Sequence, residues 1–285
     1  MARADYNYVI VGGGLAGASA IAGIREVDTE GRILLIGAES HLPYDRPPLT
    51  KKLWLGKQTL AAITLHDRAW YEGNGVELRL GVRVKELDAA NNRLLDDRGD
   101  EPSYEKLLIA TGGTPRLLDI PGGGAEGVCY YRTVDDYLAT RARAEGGRAA
   151  VVVGGGFIGS ELAAGLHTIG AKVTMVIRGI HLVPRVFPEG LGSALQANYQ
   201  QRGITILAVD GLTSIDRGNG GFVARTRKGH QLKADVLVVG IGIAPSTALA
   251  QLAGLSVDDG IVVNQYLETS RPGVYAAGEI GRAHV

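Results

Sequence analysis

The chain has 285 residues, enough for two domains, and 45% of them are hydrophobic, enough for buried cores. Its 30 Lys and Arg balance its 30 Asp and Glu, so no net field favours nucleic acid or an anionic membrane. The single cysteine, Cys129, allows neither an internal disulfide nor a thiolate metal site, which predicts a reducing, cytoplasmic setting. Glycine is the outlier at 42 residues, roughly twice the usual share.

MARADYNYVIVGGG enters a strand at once, with no signal peptide expected. Val9, Ile10 and Val11 form a continuous apolar run, the pattern of a parallel strand buried on both faces. Gly12, Gly14 and Gly17 then complete G-x-G-x-x-G. Its glycines provide a tight turn, close backbone approach to a pyrophosphate, and packing of helix on strand. A helix from about Leu15 to Val27 points its positive end at the phosphates. The next apolar strand, residues 32–36, leads to Glu39, an acid placed to hold two ribose hydroxyls.

Gly154, Gly156 and Gly159 repeat the pattern 142 positions later, again between a strand and a helix. Here the strand Lys172 to Val176 is followed by Ile177 and Arg178 instead of an acid. Arg178, with Arg185, either meets a 2′-phosphate, favouring NADPH over NADH, or is solvated surface charge. Two dinucleotide sites in one chain predict a resident flavin and a visiting nicotinamide cofactor. The six histidines show no metal-ligand spacing, and no metal is expected.

Between the two turns lies HLPYDRPPLTKKLW, residues 41–54, stiff with proline and basic. Further on come LLIATGGTPR (107–116), GGGFIGSELA (154–163), ADVLVVGIGIAPSTALAQLAGL (234–255) and LETSRPGVYAAGE (267–279). In these motifs and their order the chain resembles the FAD-dependent pyridine nucleotide-disulfide oxidoreductase superfamily. Within it, the chain is similar to the ferredoxin reductase and apoptosis-inducing-factor-like branch. The resemblance implies an α/β fold of two three-layer Rossmann-like dinucleotide-binding domains, the second inserted in the first. An FAD-binding domain would comprise residues 1–114 and 243–285, and an NAD(P)H-binding domain residues 115–242. The branch's C-terminal domain would be missing.

The resemblance also implies roles. Arg46 would contact FAD, and Lys51 would sit beside the flavin ring with Glu161 as its ion-pair partner across the domain junction. On the residues alone, Glu161 reads equally as an acid stabilising the first turn of its helix. Phe157 either covers the flavin face that nicotinamide must reach or is a core residue. Val84 would meet the adenine through its backbone, and Thr111 and Gly112 would lie near the pyrophosphate. Gly242 and Glu279 complete the cofactor-binding set, Glu279 standing where relatives carry an Asp against the ribityl chain.

Relatives that reduce disulfides carry a C-x-x-x-x-C pair after the first nucleotide unit, and none is present here. Cys129 reads as a packing residue. The implied activity is NAD(P)H oxidation through FAD to a non-disulfide acceptor, either a ferredoxin- or rubredoxin-type protein or a small oxidant. The competing reading is an apoptosis-inducing-factor-like redox sensor with slow turnover. A homodimer stays open; nucleic acid and membrane partners are not expected. The closing IGRAHV is also the translation of ATC GGA AGA GCA CAC GTC, which resembles a common sequencing-library adapter. Residues 279–285 are therefore expected to derive partly or wholly from adapter sequence, the alternative being a natural short terminus.

Overall fold

Runs of apolar residues without alternation become parallel strands covered on both faces. The computed structural model describes residues 4–218, 220–279 and 281–283. Two compact units emerge, one from residues 1–45, 61–114 and 245–285, the other from residues 46–60 and 115–244.

The first unit carries a five-stranded parallel sheet in the order Val274–Ala276, Tyr104–Ile109, Tyr6–Val11, Ile33–Gly37, Val76–Leu80. Its side chains alternate between faces. Val9 and Val11 pack with Leu34, Ile36, Leu107 and Ile109 in a core that includes Leu87, Leu94 and Leu249. Ile10, Ile33 and Leu35 face the other way, in a core with Ile21 and Tyr71. Ile21 belongs to the alanine-rich helix Leu15–Val27. Arg25, in that helix's last turn, donates to the backbone carbonyls of Asn74, Asp28 and Gly31, which suits a cation at a helix C-terminus.

The second unit repeats the plan. Its parallel sheet runs Thr205–Leu207, Lys172–Val176, Ala149–Val153, Val236–Val239, Cys129–Tyr130. Val151, Val153, Val176, Leu237 and Val239 join a core with Leu212, Ile215, Phe222 and Ala224. The last four come from an antiparallel meander formed by Leu212–Gly218, Gly221–Thr226 and Gln231–Ala234. The helix Phe157–Thr168 packs on Ala149–Val153 and Lys172–Val176. In both units the strand that ends in the glycine turn is central, with neighbours on both sides. That arrangement opens a crevice at the strand's C-terminal end.

The units divide the chain differently from the sequence expectation at two places: residues 46–60 group with the second unit, not with the first segment, and the return to the first unit falls at residue 245 instead of 243. Trp54 accounts for the first difference. It is almost wholly buried, and its indole N–H donates to the Leu49 carbonyl at 2.8 Å and to the Tyr131 hydroxyl at 3.2 Å. Tyr137 packs edge-on against it, ring centroids 5.3 Å apart. Gly165 makes room for it, since a Cβ there would stand 2.7 Å from Trp54 Cγ. Ile280, His284 and Val285, part of the tail singled out above, lie outside the described residues, while Gly281–Ala283 runs parallel to Ile261–Val263. Among the described residues no helix is long and apolar enough to cross a membrane.

Candidate functional site

The two glycine turns have the same anatomy. Gly12 has φ +130° and Gly154 φ +122°, left-handed values that disfavour any side chain. A Cβ on Gly12 would strike the Ala110 carbonyl oxygen, and one on Gly154 the Gly240 carbonyl oxygen. The third glycines are as confined: a Cβ on Gly17 would strike the Gly12 carbonyl, and one on Gly159 the Gly154 carbonyl. The second glycines differ. Gly14 and Gly156 have extended backbone, and a Cβ on either would meet no heavy atom of the protein within 4 Å. Internal packing thus demands glycine at the first and third positions only. At the second, no protein atom fills the space beside the backbone, which leaves room for a ligand to approach it closely.

The helices that start there are prepared for an anion. Leu15–Val27 and Phe157–Thr168 both begin without a side-chain cap and without an acid in the first turn. Two other helices are capped by side chains: Asp67 accepts from Trp70 N–H at the start of Arg68–Gly73, and Thr133 and Asp136 form a complete capping box on Val134–Ala144. The uncapped N–H groups are donors awaiting an acceptor. Paired with the open second glycines, both cradles fit a dinucleotide pyrophosphate.

In the first unit, sheet register assembles the rest of the site. Val11 pairs with Ile36 and Ile109, and Ile109 with Ala276, so the strands end along one edge. Beyond that edge lie the glycine turn, Glu39, Thr111 with Gly112, and Gly278 with Glu279. Thr111 Oγ1 donates to the Ser246 carbonyl at 3.1 Å, while the Gly112 carbonyl accepts from Ser246 N–H at 2.8 Å. A Cβ on Gly278 would stand 3.1 Å from Ala16 Cβ, which brings the Glu279 segment to the first turn of the glycine helix. Glu39 is oriented by Tyr44, whose hydroxyl donates to its Oε2 at 2.5 Å. Tyr44 is buried and was not singled out from the sequence, though it lies inside the HLPYDRPPLTKKLW stretch. Val84 is half-buried against the core and follows residues 81 and 82, whose N–H groups donate to the Glu39 and Gly37 carbonyls.

In the second unit, the segment anchored by Trp54 carries Thr50 and Lys51 to the glycine helix. Lys51 Nζ is 2.9 Å from Glu161 Oε2, and Thr50 Oγ1 donates to the same oxygen at 2.5 Å. The ion pair therefore lies within one unit. Glu161 stands past the first turn of Phe157–Thr168, which removes its reading as a first-turn dipole partner. Thr50 was missed because a threonine in a proline-rich loop carries no signal of its own. Arg46 donates from Nη1 to the Arg132 carbonyl at 3.0 Å.

Phe157 is 50% exposed and meets Phe187 edge-on at 5.9 Å, so it is not a core residue. Gly242 has φ +106°, and its carbonyl accepts from Arg116 N–H at 2.9 Å. Ile177 is buried and Arg178 exposed. Cys129 accepts from Thr140 Oγ1 at 3.2 Å, and burial pushes its thiol up to about 12. Among the described residues no group of His, Cys, Asp and Glu is arranged to hold a metal.

Comparison with known proteins agrees with this geometry. The family model for pyridine nucleotide-disulphide oxidoreductase matches residues 6–283. The chain belongs to that family, a class of nicotinamide-dependent flavoprotein oxidoreductases. It is 38% identical over 274 residues to the ferredoxin–NAD(+) reductase component of an anthranilate 1,2-dioxygenase system from Burkholderia cepacia, covering 96% of this chain and 67% of that protein. It is 34% identical over 277 residues to rubredoxin–NAD(+) reductase of Pseudomonas putida, covering 96% and 72%. Putidaredoxin reductase, solved as a covalent complex with putidaredoxin, superposes with a TM-score of 0.92 at 30% identity, over 99% of this chain and 69% of that one. The chain spans from 34% to 72% of the length of the curated relatives it matches.

Proposed function

We propose that this chain is the FAD- and nicotinamide-binding body of a reductase that takes electrons from NAD(P)H and delivers them to a small iron–sulfur protein or another non-disulfide oxidant. The observation that carries the reading is the double glycine turn, whose second glycine faces open space in each unit. FAD, when bound, supplies the redox chemistry, accepting electrons in a pair and releasing them singly or together. The first unit would hold it through the N–H groups after Gly12, Gly14 and Gly17, with the Glu39 carboxylate accepting from ribose hydroxyls. Thr111, Gly112, Val84 and Glu279 would complete that cradle. Arg46 and Lys51 are assigned to the flavin by family resemblance. Lys51 would place a cation where negative charge develops, its own charge tempered by Glu161. Gly154, Gly156, Gly159 and Gly242 would take the nicotinamide cofactor, and exposed Phe157 would move aside for it.

Two features favour a non-disulfide acceptor. The chain has one cysteine, so no dithiol within it can relay electrons. That thiol is held protonated at neutral pH by burial. Relatives named for ferredoxin and rubredoxin reduction point the same way, and a cytoplasmic location fits such partners. The test is anaerobic turnover with NADPH or NADH, offering a [2Fe–2S] ferredoxin, a rubredoxin or glutathione disulfide. Reduction of an iron–sulfur or rubredoxin acceptor over many cycles is expected. Turnover with the disulfide alone would overturn the reading.

A further inference from the structure

The nicotinamide reading of the second unit leaves open which dinucleotide it takes. Ile177 occupies the place of the ribose-binding acid. Its N–H donates to the Leu207 carbonyl and its carbonyl accepts from Asp210 N–H, both at 3.0 Å. A Cβ on Gly155 would stand 3.0 Å from Ile177 Cγ2, so this side chain closes against the glycine turn. It offers no acceptor to ribose hydroxyls and no charge to repel a phosphate.

Beside it, two arginines converge. A Cβ built on Gly211 would stand 3.7 Å from Arg227 Nε and 3.9 Å from Arg178 Nε. These residues are 49 positions apart in sequence. They meet because Leu212 pairs with Thr226 in the meander and Arg227 N–H donates to the Gly211 carbonyl at 2.9 Å. Lys228 adds a third cation, its Nζ donating to the Ala208 carbonyl at 2.9 Å. The adjacent acid is turned inward: buried Asp210 accepts through Oδ1 from the N–H groups of Gly211 and Lys228. Among the described residues, neither the Arg178 nor the Arg227 guanidinium has a carboxylate partner. Both Nε atoms flank the Gly211 position, and like charges held in one neighbourhood are relieved by an anion. A guanidinium fork matches phosphate oxygens in shape and charge.

We infer that Arg178 and Arg227 form a clamp for the 2′-phosphate of the nicotinamide cofactor, so that this chain prefers NADPH to NADH. The inference rests on the second unit being the nicotinamide unit. It adds a specificity residue, Arg227, from an element remote in sequence.

The test uses adenosine fragments, which need no flavin. The 285-residue chain is titrated calorimetrically with 2′,5′-ADP and with 5′-AMP. Binding of 2′,5′-ADP should be at least about ten-fold tighter, with the preference shrinking as salt rises. Arg227→Ala and Arg178→Ala should each weaken 2′,5′-ADP by roughly ten-fold while leaving 5′-AMP within about two-fold. Retained 5′-AMP binding certifies that a variant is folded. Equal affinity for the two fragments, or a preference unchanged in Arg227→Ala, overturns the clamp and leaves the nicotinamide unit standing. Failure of the unaltered chain to bind either fragment overturns the nicotinamide assignment and the clamp together.

Discussion

Lys51 Nζ and Glu161 Oε2 lie 2.9 Å apart, joining a proline-rich loop to the helix of the second glycine turn. Half of the Lys51 side chain is exposed, so the pair contributes less than about 1 kcal/mol to stability. In the proposed assignment its value would be in charge placement beside the flavin. Lys51→Met should make the flavin harder to reduce by roughly 20–40 mV, about 1–2 kcal/mol for a two-electron couple. Glu161→Gln leaves the Lys51 charge uncompensated and should move the potential the other way. Potentiometric titration of the FAD-loaded proteins checks both signs. Shifts in the same direction would point to a merely structural role.

The glycines of the first turn should separate by substitution. Gly12→Ala combines a positive φ with a clash against the Ala110 carbonyl and should cost several kcal/mol, roughly 3 or more. A Cβ on Gly14 meets no protein atom within 4 Å, so Gly14→Val should fold, losing about 1 kcal/mol at the helix N-cap. Yet it should abolish FAD retention, because its side chain fills the space that the pyrophosphate needs. Flavin-to-protein ratio measured beside apoprotein denaturation tells the two apart. A folded Gly14→Val protein with full FAD would contradict the assignment.

Much of this site was legible because its motifs are local. A glycine turn between an apolar strand and a helix declares itself within about ten residues, and so does the loss of the acid at Ile177. What the sequence hid depends on tertiary contacts. The grouping of residues 46–60 with the second unit turns on Trp54 finding Gly165 and Tyr131. The exposure of Phe157 could not be told from a core position, since both suit an aromatic at a helix start. Arg227 is invisible until strand register brings it to Arg178. Tyr44 on Glu39 is likewise a contact that no periodicity encodes.

Trp54 should be the anchor of that loop. Its removal empties a fully buried site, so Trp54→Ala should destabilise the second unit by about 3–5 kcal/mol. Gly165→Ala, which intrudes on the same indole, should destabilise it as well, by roughly 1–3 kcal/mol. Urea unfolding measured for each variant checks the order. Wild-type stability in Trp54→Ala would show that the loop is held by other means.

Cys129 gives a prediction for alkaline pH. Burial pushes its thiol up to about 12, whereas an unfolded cysteine ionises near about 8.5. The stabilisation is therefore complete below the unfolded value and is lost as pH rises towards the folded one, by up to about 1.4 kcal/mol per pH unit. Buried Tyr71 and Tyr104, also raised to about 12, add to the loss above about pH 10. Cys129→Ala should flatten the decline between about pH 8.5 and 10. Native Cys129 should also resist alkylation at pH values near about 8, where the unfolded thiol reacts readily.

The most direct test of a flavin-and-nicotinamide body is a visible spectrum of the purified chain after incubation with FAD and desalting, followed by anaerobic titration with NADPH and NADH. Retained flavin absorbance that bleaches on addition of nicotinamide, at lower concentrations of NADPH than of NADH, is expected. Protein that is folded yet emerges from desalting colourless, or whose bound flavin neither cofactor reduces, would contradict it.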